Sequence, residues 1–148
     1  MIEKLRLDIP ILLPGVPDAD DACVARLKSE IAGREGIEDV HVKTTGHDGP
    51  TQLCIHYDPE VTPLLRLREL VESAGARISE RFGHVMWQVD GIIHQRRART
   101  LSDRLRMLPG VLEAQASASG RIRVEFDRTL GSEQAVRDAL ADMGINVI

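Results

Sequence analysis

The chain has 148 residues, 43% of them hydrophobic and 28% charged, with a net charge of −4; this is the balance of a globular protein with one average domain or two small ones. Aromatic residues are only 3%, too few for a base-stacking platform, and the negative charge gives no electrostatic reason for a nucleic-acid partner. No apolar run approaches the ~18 residues of a membrane span, and the Met1 end lacks the apolar stretch of a signal peptide. Two cysteines cannot make a disulfide scaffold, so a reducing, cytoplasmic setting is expected.

The predicted elements fall into two halves with one plan. Leu5, Leu7, Ile9, Ile11 and Leu13 alternate, which predicts a first strand; Pro10 inside it marks an edge, a bulge or a shorter strand. Asp20 or Asp21 caps a helix that carries Val24, Leu27 and Ile31 on one face. Val40, Val42 and Thr44 alternate as a second strand, and Leu53, Ile55 and Tyr57 as a third. The segment 45–50 between them is a hairpin loop by composition. Thr62 caps a second helix with Pro63 at its first position and Leu67, Val71 and Ala74 on one face, and a short strand around Arg77-Ile78 closes the half.

The second half repeats this order. Trp87 and Val89 start it, and Ala98, Leu101 and Leu105 stand for Val24, Leu27 and Ile31. Ala114, Ala116 and Ala118 form a weak strand, and Ile122, Val124 and Phe126 stand for Leu53, Ile55 and Tyr57. Ser132 caps a last helix with Val136, Leu140 and Met143, followed by a strand at Asn146-Val147-Ile148. Gly36 aligns with Gly110, Asp58 with Asp127, and Gly75 with Gly144. Two strand-helix-strand units per half imply an α+β chain of two ferredoxin-like βαββαβ sandwiches in tandem, over about 1–79 and 82–148.

The run Trp87-Gln88-Val89-Asp90-Gly91-Ile92, then Leu108-Pro109-Gly110-Val111, Val124-Glu125-Phe126-Asp127 and Ala139-Leu140-Ala141-Asp142-Met143-Gly144 resembles a heavy-metal-associated domain. That family includes copper chaperones and the cytosolic amino-terminal modules of heavy-metal P-type ATPases. Residues 84–148 carry the resemblance, and 3–79 carry a weaker copy. It implies a cytoplasmic regulatory or delivery module of a heavy-metal transport ATPase, or a stand-alone relative. The ATPase core domains or another protein would then be its partner.

The family holds its metal in a Gly-Met-x-Cys-x-x-Cys loop at a helix N-terminus, where two thiolates take a soft cation. Both copies here depart from that loop. In the second, His94 stands for the first Cys and Arg97 for the second; in the first, Asp20 stands for the first and Cys23 for the second. The resemblance and the local chemistry then leave three candidate sites. Cys23 with Asp18, Asp20 and Asp21 offers one thiolate among carboxylates, a donor set for Zn(II) or another divalent heavy metal; the plainer reading of these residues is a helix cap. His41, Cys54 and His56 share the open face of the sheet by strand alternation, a second potential set of N and S donors. Arg96, Arg97 and Arg99 crowd one helix start and suit an acidic protein or anion. Cations at that end oppose the helix dipole, so the second copy reads as a lost metal site.

The uneven charge, 9 Lys+Arg against 14 Asp+Glu over residues 1–79 and 10 against 9 beyond, suggests salt-sensitive docking between the halves or onto a partner. No nucleophile-base pair or phosphate loop is evident, so no catalysis is expected. A tandem regulatory module that binds a small molecule or protein, like the ACT domains of the same strand order, is the alternative without a metal.

Overall fold

The computed structural model describes residues 1–16, 19–44, 51–92 and 94–148. The chain divides into two compact units, Met1–Glu80 and Arg81–Ile148. Both are α+β and follow the ferredoxin-like plan. The expected hairpin loop 45–50 and the candidate ligand Asp18 lie outside the described residues.

In the first unit β1 (Glu3–Asp8), β2 (Ile37–Thr44) and β3 (Thr51–Tyr57) form an antiparallel sheet in the order β1-β3-β2. The helices are α1 (Ile9–Leu12), α2 (Ala22–Ile31) and α3 (Leu64–Arg81). In the second unit β4 (Phe82–Asp90), α4 (Gln95–Arg106), β5 (Val111–Ala116), β6 (Arg121–Asp127), α5 (Glu133–Asp142) and β7 (Asn146–Val147) complete a βαββαβ order, with strands arranged β5-β6-β4-β7.

The repeat landmarks prove to be hydrogen-bonded to one another. The amide of Asp58 donates to the Gly36 carbonyl at 2.8 Å, and that of Asp127 to the Gly110 carbonyl at 2.7 Å. Gly36 and Gly110 take positive φ values of 85° and 82°, a conformation that glycine adopts without a steric penalty. A register shift follows at the same place in each copy, between Ile37 and Asp39 and between Val111 and Glu113. Two of the expected caps form, the Asp21 side chain accepting from the Cys23 amide at 2.8 Å and the Ser132 hydroxyl from the Ala135 amide at 3.1 Å, whereas α3 begins at Leu64 and the Thr62 hydroxyl donates instead to the Glu35 carbonyl at 2.8 Å.

The cores match the periodicity. Leu27, Ile31, Ile55 and Val71 are buried in the first unit, and Leu101, Leu105, Val124 and Leu140 in the second. Each such side chain contributes about 1.5–3 kcal/mol by leaving water. Val42 and Ala116 are half-buried. The second core is one cluster that joins Leu101 and Leu105 of α4, Val136 and Leu140 of α5, and Ile122, Val124 and Phe126 of β6, so both helices cover one sheet face.

Two expectations for the first half are corrected. The alternation at residues 5–13 does not continue as a strand: β1 ends at Asp8, and Ile9–Leu12 form a helical turn with Pro10 at its start. Proline fixes φ near the helical value and lacks only an N–H that a first turn leaves unbonded. Ile9, Leu12 and Leu13 are buried while Ile11 is 75% exposed. Nor do Arg77 and Ile78 form a closing strand; both lie inside α3, which runs unbroken through Ser79-Glu80-Arg81.

The aligned glycines give the reason. Gly144 turns to φ 72° and ends its helix, after which Ile145-Asn146-Val147 leads into β7. Gly75 keeps negative φ inside α3, and the following Ala76-Arg77 continues with good helix formers. Hydrogen in place of a methyl also lets the α1 turn sit on α3: a Cβ at Gly75 would stand 2.6 Å from the Leu12 carbonyl oxygen.

Candidate metal centre

Across the first sheet, β3 alternates core residues Leu53, Ile55 and Tyr57 with Cys54 and His56, which point to the opposite face. His41 of β2 lies directly across from Cys54 in the ladder. One ligand atom from each of His41, Cys54 and His56 falls within 4.8 Å of the others. The two imidazole rings are 5.3 Å apart between centroids. Cys54 is 3% exposed and both histidines are half-buried. The three residues singled out by strand alternation are therefore a cluster, drawn together by the pairing of β2 with β3.

Sequence reading missed the neighbour that organises it. The Asp39 carboxylate lies 3.0 Å from His41 Nδ1. A proton on Nδ1 donated to that carboxylate leaves the Nε2 lone pair for a metal, the arrangement that orients most metal-binding imidazoles. Asp39 pairs with His56 across the ladder because of the register shift, and that irregularity carries no signature in local composition. One thiolate and two imidazoles suit Zn(II), Cd(II) or Co(II), which accept mixed N and S donors in tetrahedral sites.

The acidic loop is arranged around its helix. Asp21 is 2% exposed and caps α2. Cys23 is buried in the first turn, and its Sγ accepts from Arg26 Nη1 at 3.2 Å. Asp20, Asp21 and His41 together line an open cleft of about 630 Å³, which brings residues of two expected sites onto one rim.

The corresponding loop of the second unit is filled from within. His94 caps α4, its Nδ1 accepting the Arg97 amide at 3.3 Å. Arg97 then donates from Nε to the Gly91 carbonyl at 2.9 Å and from Nη2 to the Met143 carbonyl at 2.7 Å. A guanidinium thus ties the β4–α4 connection to the end of α5. Arg96 and Arg99 are exposed on the same helix. His84 faces Glu125 across β4 and β6 at 3.9 Å, both side chains nearly buried.

Two ferredoxin-like units in tandem define the class of this chain as a tandem ferredoxin-like α+β module, and neither unit keeps the thiolate pair of the heavy-metal-associated loop. No protein-family model and no curated protein matches the sequence. Among solved structures, the N-terminal extension of CzcP from Cupriavidus metallidurans is 57% identical, with 95% of this chain and 96% of that one covered and a TM-score of 0.88. The chain belongs to the family of that N-terminal extension. The N-terminal soluble domains of Bacillus subtilis CopA are 20% identical over 99% of this chain and 92% of theirs, at a TM-score of 0.41. The described residues contain no helix long and apolar enough to cross a membrane.

Proposed function

We propose that the chain is a cytoplasmic metal-holding module of a heavy-metal transport ATPase, which regulates the transporter or delivers metal to it and catalyses no step itself. Its cargo is a divalent heavy metal such as Zn(II), held by His41, Cys54 and His56. The observation that carries the reading is the convergence of these three donors within 4.8 Å on one sheet face, with Asp39 orienting His41. Kinship with an N-terminal extension and the resemblance to heavy-metal-associated modules support its attachment to a transporter. The exposed Arg96 and Arg99, with Arg97 behind them, offer a basic face to acidic surfaces of the ATPase core.

A second position is favoured by a separate observation. Cys23 is buried at the first turn of α2 next to Asp21, where a helix N-terminus stabilises a thiolate. Zn(II) or Cd(II) titration followed by calorimetry, with stoichiometry from mass spectrometry under native conditions, separates the two positions. Cys54→Ala is expected to remove one bound ion, and Cys23→Ala to remove a different one or none. Undiminished stoichiometry and affinity in the Cys23→Ala, Cys54→Ala double variant would reject a metal role for either thiol.

A further inference from the structure

A tetrahedral divalent ion needs four donors, and among the described residues the cluster of His41, Cys54 and His56 supplies three. What lies beside the fourth position is set by β1. Arg6 stands directly across the β1–β3 ladder from Cys54, and Lys4 directly across from His56. Opposed residues in an antiparallel pair share a face with Cβ atoms about 4.5–5.5 Å apart. The row Arg6–Cys54–His41 and the row Lys4–His56–Asp39 therefore run side by side over the open face. Lys4 and Arg6 are both exposed.

Charge decides what completes the site. A divalent ion on one thiolate and two neutral imidazoles keeps a single positive charge. Lys4 and Arg6 add two more, and Asp39 removes one. The loaded face is thus cationic, and a neutral water at the fourth position leaves that charge unanswered. Among anions, a carboxylate suits both partners: one oxygen for the metal, the other for the planar donor fork of a guanidinium.

We infer that the fourth position of the His41–Cys54–His56 site receives an exogenous carboxylate, held by Arg6 with Lys4 beside it. This rests on the metal reading above. The exchange is simple: the carboxylate enters as the bound water leaves, with no change of oxidation state. Its consequence is a route for hand-over, because an acceptor that presents a carboxylate joins the metal before any protein ligand departs. The carboxylate comes either from a free small acid or from an Asp or Glu side chain of an acceptor protein.

Co(II) makes each step visible. The full chain carrying Cys23→Ala is loaded with one equivalent of Co(II) without oxygen. Thiolate-to-cobalt charge-transfer absorption, lost in Cys54→Ala, reports the metal site itself. Sodium acetate, or a capped peptide with a single Glu, is then titrated at constant ionic strength while the d–d bands are followed. A saturable d–d shift is expected. Arg6→Gln is expected to weaken it on the order of tenfold, the scale of a charge-assisted hydrogen bond, and Arg6→Lys to recover part of the loss. Comparable binding of acetate and peptide assigns a free acid, and binding of the peptide alone assigns a protein side chain. Charge transfer with no d–d response to either probe, or an equal response in Arg6→Gln, overturns the carboxylate inference and leaves the metal site standing. Absence of the charge-transfer band, or its survival in Cys54→Ala, overturns the metal site and the inference with it.

Discussion

Asp58 and Asp127 begin as equivalent residues, and their neighbours make them different. Asp58 Oδ1 accepts the Glu60 amide at 3.0 Å. Asp127 Oδ1 accepts the Thr129 amide at 2.9 Å and the Thr129 hydroxyl at 2.6 Å, while its Oδ2 receives Arg81 at 3.3 and 3.4 Å. The Thr129 hydroxyl, then the Thr129 amide and Arg81, hold the Asp127 carboxyl below the ordinary 3.8, against the opposing pull of burial. A depressed carboxyl stabilises the fold above its unfolded pKa, and that contribution disappears as pH falls through the folded one. Asp127→Asn is therefore expected to lower the melting temperature near neutral pH, with the gap from the parent closing below about pH 4. Paired thermal melts from pH 7 down to pH 3 check this, and a constant gap would show that geometry rather than ionisation matters. The aligned Asp residues were legible as landmarks in the sequence. Arg81 as a partner was not, because it stands 46 positions away and belongs to no periodic pattern.

At the level of elements, what the sequence made legible follows from periodicity. The α2, α4 and α5 faces and strands β3 and β6 each present a buried stripe to a core and form where expected, while β2 forms with Val40 and Val42 only half-buried. The failures occur where one apolar pattern fits two structures. Ile9, Leu12 and Leu13 satisfy helical spacing as well as alternation does, and Pro10 breaks the tie toward a turn. Arg77-Ile78 is too short to show any period, so the conformation at Gly75 decides it. The close approach at this glycine sets the next expectation. In Gly75→Ala the gain in helix propensity, about 1 kcal/mol, meets a backbone oxygen at 2.6 Å. Overpacking of this kind costs about 1–3 kcal/mol, so the net change is destabilising. Denaturant titration is expected to show a lower midpoint for Gly75→Ala, and a variant at least as stable as the parent would mean that the α1 turn gives way freely.

Taken as a whole molecule, one repeated plan has been fitted out in two ways. The first unit gathers N and S donors on its open sheet face, and the second closes its loop with Arg97. The candidate ligands were readable because β-strand alternation alone places Cys54 and His56 together. The register that sets Asp39 beside them needed the folded ladder. Zn(II) is thus expected to slow amide hydrogen exchange in β2 and β3 and to leave β5 and β6 unchanged. His94→Cys with Arg97→Cys restores the spacing of the family loop and removes the internal cation, so this double variant is expected to gain a site in the second unit, seen as new Cd–thiolate absorption. No added absorption over the parent would show that more than these two positions has diverged.

The sheet order has a kinetic side. Among the described residues β2 pairs with β3 alone and forms the edge of its sheet, and it carries His41 while Cys54 and His56 sit on the central strand. Peeling back the edge near His41 removes one of three donors without disturbing Leu53 or Ile55 in the core beneath. Edge fraying costs far less than global unfolding. On the proposed metal reading, the residence time of an ion would be set by this small local opening, and fast exchange is expected even at high equilibrium affinity.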